Sequence, residues 1–112
     1  MTELSIERLE ERFDRGELTF RDVDVYIVQE VRRRVRQEAG KLLERWDERL
    51  LEGRDKGRYK YVGVDRREVE GFAGTVSFSR RRYRDVKTGR SVYLLDERLK
   101  LEKSRRVSPG LA

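Results

Sequence analysis

The chain contains no cysteine and no histidine among its 112 residues. These absences exclude a Cys/His zinc site, a cysteine nucleophile and a catalytic histidine, and they leave no disulfide from which to infer a redox compartment. No apolar run approaches membrane-spanning length, and the N-terminus lacks the apolar core of a signal peptide. We therefore expect a soluble, cytoplasmic protein with no membrane partner.

Proline occurs once, and the hydrophobic fraction is only 36% against a charged fraction of 45%. The single proline gives no sign of a flexible interdomain linker. A chain of this length has room for one small domain, or for a helical piece and a β piece that share one core. Its apolar residues are placed periodically, which argues against disorder throughout.

The net charge of +6 is divided unevenly along the chain. Residues 1–52 carry a net charge of −3, and residues 53–112 carry a net charge of +9. Such segregation favours a nucleic-acid surface in the second half. Ordinary solvating charge is the alternative that this pattern leaves open.

The first half of the chain predicts two helices. A short amphipathic helix ends at Gly16, and Thr19 or Asp22 can cap the helix that follows. From Phe20 to about Leu51 apolar residues recur at spacings of three and four, which predicts one long helix with a single apolar stripe. The stripe consists of Val28, Val31, Val35, Ala39, Leu42, Trp46 and Leu50.

A stripe of this length needs a partner. One interpretation is a dimerisation surface formed by Val28, Val31, Val35, Leu42, Trp46 and Leu50. The other is a helix packed on its own domain. Gly40 is expected to weaken the helix, and the opposite face, which includes Glu44, is expected to contact solvent.

The second half of the chain predicts β-structure. The period of the apolar residues changes to two, which predicts an antiparallel meander over 58–95. Turns are expected around 63–65 and at 71–74, and a hairpin loop over 85–89. The expected fold is therefore α+β: a short helix and a long amphipathic helix, followed by a Cys-free antiparallel β-hairpin or meander.

We expect two regions, a helical one over 1–53 and a basic β-hairpin region over 54–112. Near the end, Ser108 followed by Pro109 is typical of a helix start, with serine as N-cap and proline at the first helical position. Only three residues follow, so we expect a truncated helix. An incidental Ser-Pro in a frayed tail is the alternative.

The strongest functional signal is the basic run from Arg80 to Arg84, followed by Lys87 and Arg90. Because side chains alternate along a strand, Arg80, Arg82 and Arg84 are expected on one face, where guanidinium groups can bind phosphates bidentately. Charge that blocks edge-to-edge aggregation is the alternative. The residues expected to contact DNA are Arg80, Arg81, Arg82, Arg84, Lys87, Arg90, Arg54, Lys56, Arg58, Arg105 and Arg106, with Lys60, Lys100 and Lys103 in the same basic groups.

Two acid pairs suggest metal binding: Asp96 with Glu97, and Asp22 with Asp24. Adjacent strand residues point apart, and acids in a first helical turn complement the dipole, so both pairs are expected to be structural. The chain has no phosphate loop, nucleotide fingerprint or nucleophile elbow. We expect no catalytic residue, no metal site and no enzymatic activity on this chain.

Five motifs follow the long helix along the chain. They are Arg54-Asp-Lys-Gly-Arg-Tyr, Gly74-Thr-Val-Ser-Phe-Ser-Arg-Arg-Arg-Tyr-Arg-Asp, Lys87-Thr-Gly89, Tyr93-Leu-Leu-Asp-Glu97 and Arg106-Val-Ser-Pro109. Over about residues 20–112 the chain resembles the N-terminal region of the ISLre-type bacterial insertion-sequence transposases, long catalogued as an uncharacterised protein family.

The resemblance implies an acidic, metal-dependent strand-transfer core beyond Ala112, so a divalent metal would belong to that core and no cofactor to this chain. It also implies double-stranded DNA at the element ends as the partner. Related transposases often build this region as a Cys-ligated zinc ribbon. Without cysteine, the hairpin depends on packing of Val76, Phe78, Val92, Tyr93 and Leu94.

The first functional hypothesis is a DNA-binding N-terminal module, or fragment, of a transposase that lacks the catalytic core. The second is a helical dimerisation or assembly module, a homodimer without direct nucleic-acid contact. RNA binding by the same basic surface stays open as a third.

Overall fold

The computed structural model describes residues 5–101, in which helices precede a three-stranded antiparallel sheet. This confirms the predicted α+β fold. The predicted helix start at Ser108 and the predicted contacts of Arg105 and Arg106 lie outside the described residues. The elements are α1 (Ile6–Asp14), α2 (Phe20–Gly53), β1 (Tyr59–Gly71), β2 (Gly74–Asp85), β3 (Ser91–Val92) and α3 (Leu94–Arg98), and the strand order is β1-β2-β3.

The chain divides into two compact units, one up to Val35 and one from Arg36 onward. The predicted regional boundary after residue 53 coincides with the end of α2, whereas the two units divide within that helix. The difference has a physical reason, since the part of α2 after Arg36 makes hydrogen bonds to the sheet.

In the first unit, side-chain caps define where the helices begin. The Ser5 hydroxyl accepts from the amide of Arg8 at 3.2 Å. Ahead of α2, the Thr19 amide donates to the Asp22 carboxylate at 3.0 Å, and the Asp22 amide donates back to the Thr19 hydroxyl at 3.2 Å. Gly16 adopts the left-handed φ of 70° between the helices. The reciprocal bonds between Thr19 and Asp22 form a capping box, which confirms the predicted cap of α2. The left-handed Gly16 agrees with the predicted end of the first helix.

The β1 and β2 strands pair along their whole length, from Tyr59 opposite Asp85 to Gly71 opposite Gly74 at the turn. The predicted turn around 63–65 is wrong, because β1 continues through it. A β-bulge between Tyr61 and Gly63 absorbs one residue instead. A bulge and a turn share a glycine signal, and here the strand pairing on both sides favours the bulge.

The core of the second unit is small and mixed in polarity. Its fully buried side chains are Phe78 and Tyr83 of β2 and Leu95 of α3. Burial raises the pKa of the Tyr83 hydroxyl, and the Asp47 carboxylate nearby adds to the effect. Four charged residues are buried as well: Asp47, Arg80, Asp85 and Asp96.

The later part of α2 lies along the edge of β2 that β1 does not occupy. The Ser79 amide donates to the Glu44 carboxylate at 2.8 Å, and the Arg81 amide donates to the Asp47 carboxylate at 3.1 Å. Residues three apart share one face of a helix, so one face of α2 satisfies two backbone donors of the strand. An edge covered in this way does not template pairing with another chain.

One expectation for α2 is wrong for this reason, and another is incomplete. Glu44 is exposed as expected, but its carboxylate also accepts from the Ser79 amide at the edge of β2. Gly40 is a close-approach position rather than a weak point, since it faces the carbonyl of Ser77. At the far end of the strand, Arg36 donates to the carbonyl of Ala73 at 2.8 Å.

The predicted apolar stripe of α2 has mixed surroundings. In the first unit Val28, Val31 and Val35 are 43%, 57% and 50% exposed. In the second unit Leu42 is 39% exposed, whereas Trp46 is half-buried. A helix packed on its own domain would bury these three valines, but within residues 5–101 they are not buried.

Candidate nucleic-acid interface

Asp96 of α3 holds two arginines of the sheet. Arg80 donates to both oxygens of that carboxylate, at 3.2 and 3.1 Å, and Arg67 donates to it at 2.9 Å. The Arg80 guanidinium also lies 3.7 Å from the ring centroid of Tyr93, within cation–π range. Arg80 is 7% exposed, so its charge is directed into the protein rather than toward solvent.

Three more arginines of the predicted DNA-contacting set pair with carboxylates. Arg81 donates to Asp47 at 2.8 Å, and Arg82 donates to Asp65 at 2.6 Å. The third, Arg58, forms two bonds with Asp85 at the start of the hairpin loop. The Tyr93 hydroxyl also donates to Asp65, and that bond, together with the charges of Arg82 and Arg80, lowers the pKa of the Asp65 carboxyl.

These pairs change the predicted geometry of the basic run. Arg80, Arg82 and Arg84 were expected on one open face, but Arg80 is buried and Arg82 is half-buried. Their partners are 16 and 17 residues away in sequence, so strand alternation alone does not reveal the pairing. Of the three, Arg84 is exposed.

One end of the sheet gathers cations that make no carboxylate pair within residues 5–101. The register places Lys60 of β1 directly opposite Arg84 of β2. Nearby are Lys56, whose carbonyl accepts from the Lys60 ammonium at 2.9 Å, and Lys87 and Arg90 in the loop that follows β2. All five are exposed. We call this group, Lys56, Lys60, Arg84, Lys87 and Arg90, the basic end.

Asp85 organises the loop that carries part of the basic end. Its carboxylate accepts from the Lys87 amide at 3.0 Å, and its carbonyl accepts from the Gly89 amide at 2.7 Å. Arg58 donates to both carboxylate oxygens, at 3.1 and 2.9 Å. That hydrogen bonding lowers the pKa of Asp85 and raises the pKa of Arg58. The acid thus points inward while Lys87 and Arg90 point out.

Arg54, another predicted contact, serves the backbone. Its guanidinium donates to the carbonyl of Leu51 at 2.6 Å and to that of Tyr59 at 3.0 Å. It also lies 5.6 Å from the ring centroid of Tyr83. A cation over the last carbonyls of a helix complements the dipole, so Arg54 joins the end of α2 to the start of β1.

A second concentration of cations lines a groove of about 690 Å³ between the end of α2 and α3. Arg49, Arg98 and Lys100 are exposed on it. Sequence reasoning missed Arg49 and Arg98, because each is one charge among many on a helix that also carries acids. Of the three exposed cations on the groove, only Lys100 belongs to a basic group that the sequence indicates.

Two other types of site are absent from residues 5–101. No three acidic side chains come together there in a way that would hold a metal ion. Nor does any helix in that range have the length and apolar character needed to cross a membrane.

The fold and the site define a small, Cys-free α+β protein whose sheet ends in a basic surface. The chain matches the Uncharacterised protein family (UPF0236) over residues 13–112 and belongs to that family. No curated protein and no solved structure matches the chain.

Proposed function

We propose that this chain is the DNA-binding N-terminal module of an insertion-sequence transposase, and that the basic end contacts the phosphate backbone. The motif resemblance to ISLre-type transposases supports the transposase assignment, and the family match spans the same part of the chain. On this proposal the chain carries no catalytic residue, and any divalent metal belongs to the strand-transfer core of the longer enzyme.

The cross-strand pair of Lys60 and Arg84 is the observation that carries the proposal. Like charges placed directly opposite each other destabilise an isolated sheet. Elsewhere in the same sheet arginines are matched with carboxylates, as Arg81 is with Asp47. A phosphate group between Lys60 and Arg84 would convert their repulsion into two favourable contacts, with release of counterions.

The test is binding of a short duplex, measured by fluorescence anisotropy across about 50–200 mM salt. The variant Arg84→Ala/Lys87→Ala/Arg90→Ala is expected to weaken binding. Each lost phosphate contact should also flatten the slope of log K against log salt by about 0.9. Single-stranded and duplex RNA of the same sequence, measured in parallel, distinguish DNA from RNA as the partner.

The matched control is Lys41→Ala/Arg45→Ala/Arg66→Ala, which removes the same charge from exposed positions of the same unit. It should bind with nearly the slope of the unmodified chain. Equal losses in the two variants would mean that net charge alone drives binding, and would contradict the basic end as the contact surface.

A second function, assembly, is favoured by the exposed valines of the first unit. Val28, Val31 and Val35 follow one another at spacings of three and four on α2. Three β-branched side chains on one helical stripe match the seam of a helix pair. A dimer would carry two basic ends, so assembly and DNA binding are compatible functions.

A further inference from the structure

We propose that the groove between the end of α2 and α3 is a second phosphate-binding site, filled by the backbone of the nucleic acid that the basic end contacts. The identity of the ligand rests on the proposed function. The groove lies close to the basic end along the chain, because Asp55 lines the groove and Lys56 of the basic end follows it in the loop between α2 and β1. A nucleic-acid strand can therefore run from one site to the other.

The charges on the groove favour an anion. Arg49, Arg98 and Lys100 line it, and none of them pairs with a carboxylate in the part of the chain that the structure describes. Two acids oppose them. Asp55 accepts from the Gly57 amide at 3.0 Å, and Glu97 is exposed.

The fourth cation of the groove, Arg54, already donates to two carbonyls. It therefore adds positive charge to the groove without needing to move. With four cations against two acids, the lining carries a net charge of +2.

The walls strengthen this preference. Leu50 and Leu94 contribute apolar surface, and Tyr59 contributes an aromatic ring. Apolar walls lower the local dielectric and increase the attraction between a cation and a phosphate. An aromatic ring beside a phosphate site also offers a stacking surface for a base or a sugar.

Lys100 supplies an independent argument. It has a left-handed φ of 59°, and no other non-glycine residue in the described range has a positive φ. Its position closes α3, where the Lys100 amide donates to the Glu97 carbonyl and the Leu101 amide donates to that of Asp96. Glycine is the favoured residue for this conformation. A lysine at a position where glycine would be more stable points to a use for its side chain, and that side chain lines the groove.

The first test is the double variant Arg49→Gln/Arg98→Gln in the full chain, with Arg45→Gln/Arg66→Gln as the charge-matched control. On duplex DNA the groove variant should bind more weakly, with a salt slope about 2 units shallower, whereas the control keeps the original slope. Unchanged affinity and slope in the groove variant would overturn the proposal and leave the basic end intact.

The variant Lys100→Gly separates function from folding. It should raise the thermal unfolding midpoint, because glycine adopts the left-handed backbone without a Cβ clash, and it should weaken DNA binding at the same time. A higher midpoint with undiminished affinity would refute a role for the Lys100 side chain in the groove.

Failure of the proposed function gives a different result. If the unmodified chain binds no duplex, the proposed DNA binding is wrong. An NMR titration with inorganic pyrophosphate then tests whether the groove binds phosphate. Amide shifts at Leu50, Leu94 and Lys100 that disappear in Arg49→Gln/Arg98→Gln would support a phosphate site for another ligand. Shifts that are absent, or that persist in the variant, would rule the site out.

Discussion

Gly40 of α2 faces the carbonyl oxygen of Ser77 in β2 so closely that a Cβ on residue 40 would stand 2.7 Å from that oxygen. The neighbouring atom is backbone and cannot swing aside as a flexible side chain would. The absent side chain at this point lets Glu44 and Asp47, on the same helix face, reach the amides of the strand.

Replacing Gly40 by alanine is therefore expected to destabilise the protein. Alanine favours the helix by about 1 kcal/mol, but forced overpacking costs about 1–3 kcal/mol, and here the second effect should win. Urea unfolding measures the net change. Gly53→Ala is the control, because Gly53 has no atom within 4 Å of its Cβ position. Gain of stability in Gly40→Ala would contradict the close approach.

The ion pairs of Asp96 with Arg67 and Arg80 predict which of two substitutions destabilises the protein more. Removal of one partner from a buried ion pair typically costs about 3–5 kcal/mol. Asp96→Ala leaves both Arg67 and Arg80 without that carboxylate, whereas Arg80→Ala leaves Asp96 paired with Arg67. We expect Asp96→Ala to be the more destabilising in denaturant unfolding.

Arg84 provides the comparison for these buried ion pairs. It is exposed, so Arg84→Ala should change the free energy of unfolding by no more than about 0.5 kcal/mol while weakening DNA binding. A similar loss of stability in Arg84→Ala and Arg80→Ala would contradict the division into internal and external arginines.

Acid should weaken the fold through the Asp85 carboxyl. Its lowered pKa, caused first by the bonds from Arg58, means that the unfolded chain binds more protons once the pH falls below about 5. The contribution is therefore present above the ordinary aspartate pKa of about 3.9 and is lost as the pH falls through the lower folded value.

Urea midpoints between about pH 2.5 and 6 measure this dependence. Arg58→Gln should reduce the pH slope without abolishing it, since the pKa of Asp65 is lowered too. Arg66→Gln, at an exposed position of β1, should keep the slope of the unmodified chain. An identical slope in both variants would show that Arg58 does not set the titration of Asp85.

The exposed valines predict self-association. Val28→Gln/Val31→Gln/Val35→Gln should convert a dimer to a monomer in sedimentation velocity runs, because it removes the apolar seam. Arg32→Gln/Arg34→Gln alters the same helix turns at exposed polar positions and should remain dimeric. A monomeric unmodified chain at all concentrations would exclude assembly through this stripe.

Sequence alone determined the features of this protein that depend on neighbours along the chain. The capping box at Thr19 and Asp22, the long helix and the hairpin turn at 71–74 follow from local geometry, and each is present. The break around residue 63 was misjudged, because a bulge needs a partner strand to distinguish it from a turn.

Only the tertiary structure decided which charges remain available to a partner. Asp47 lies 34 residues from Arg81, and Asp85 lies 27 residues from Arg58, so no local pattern links them. Folding brings these carboxylates to their arginines, and the register sets Lys60 against Arg84 without one. Composition fixed the number of cations in the chain, whereas the long-range packing fixed where they can meet a phosphate.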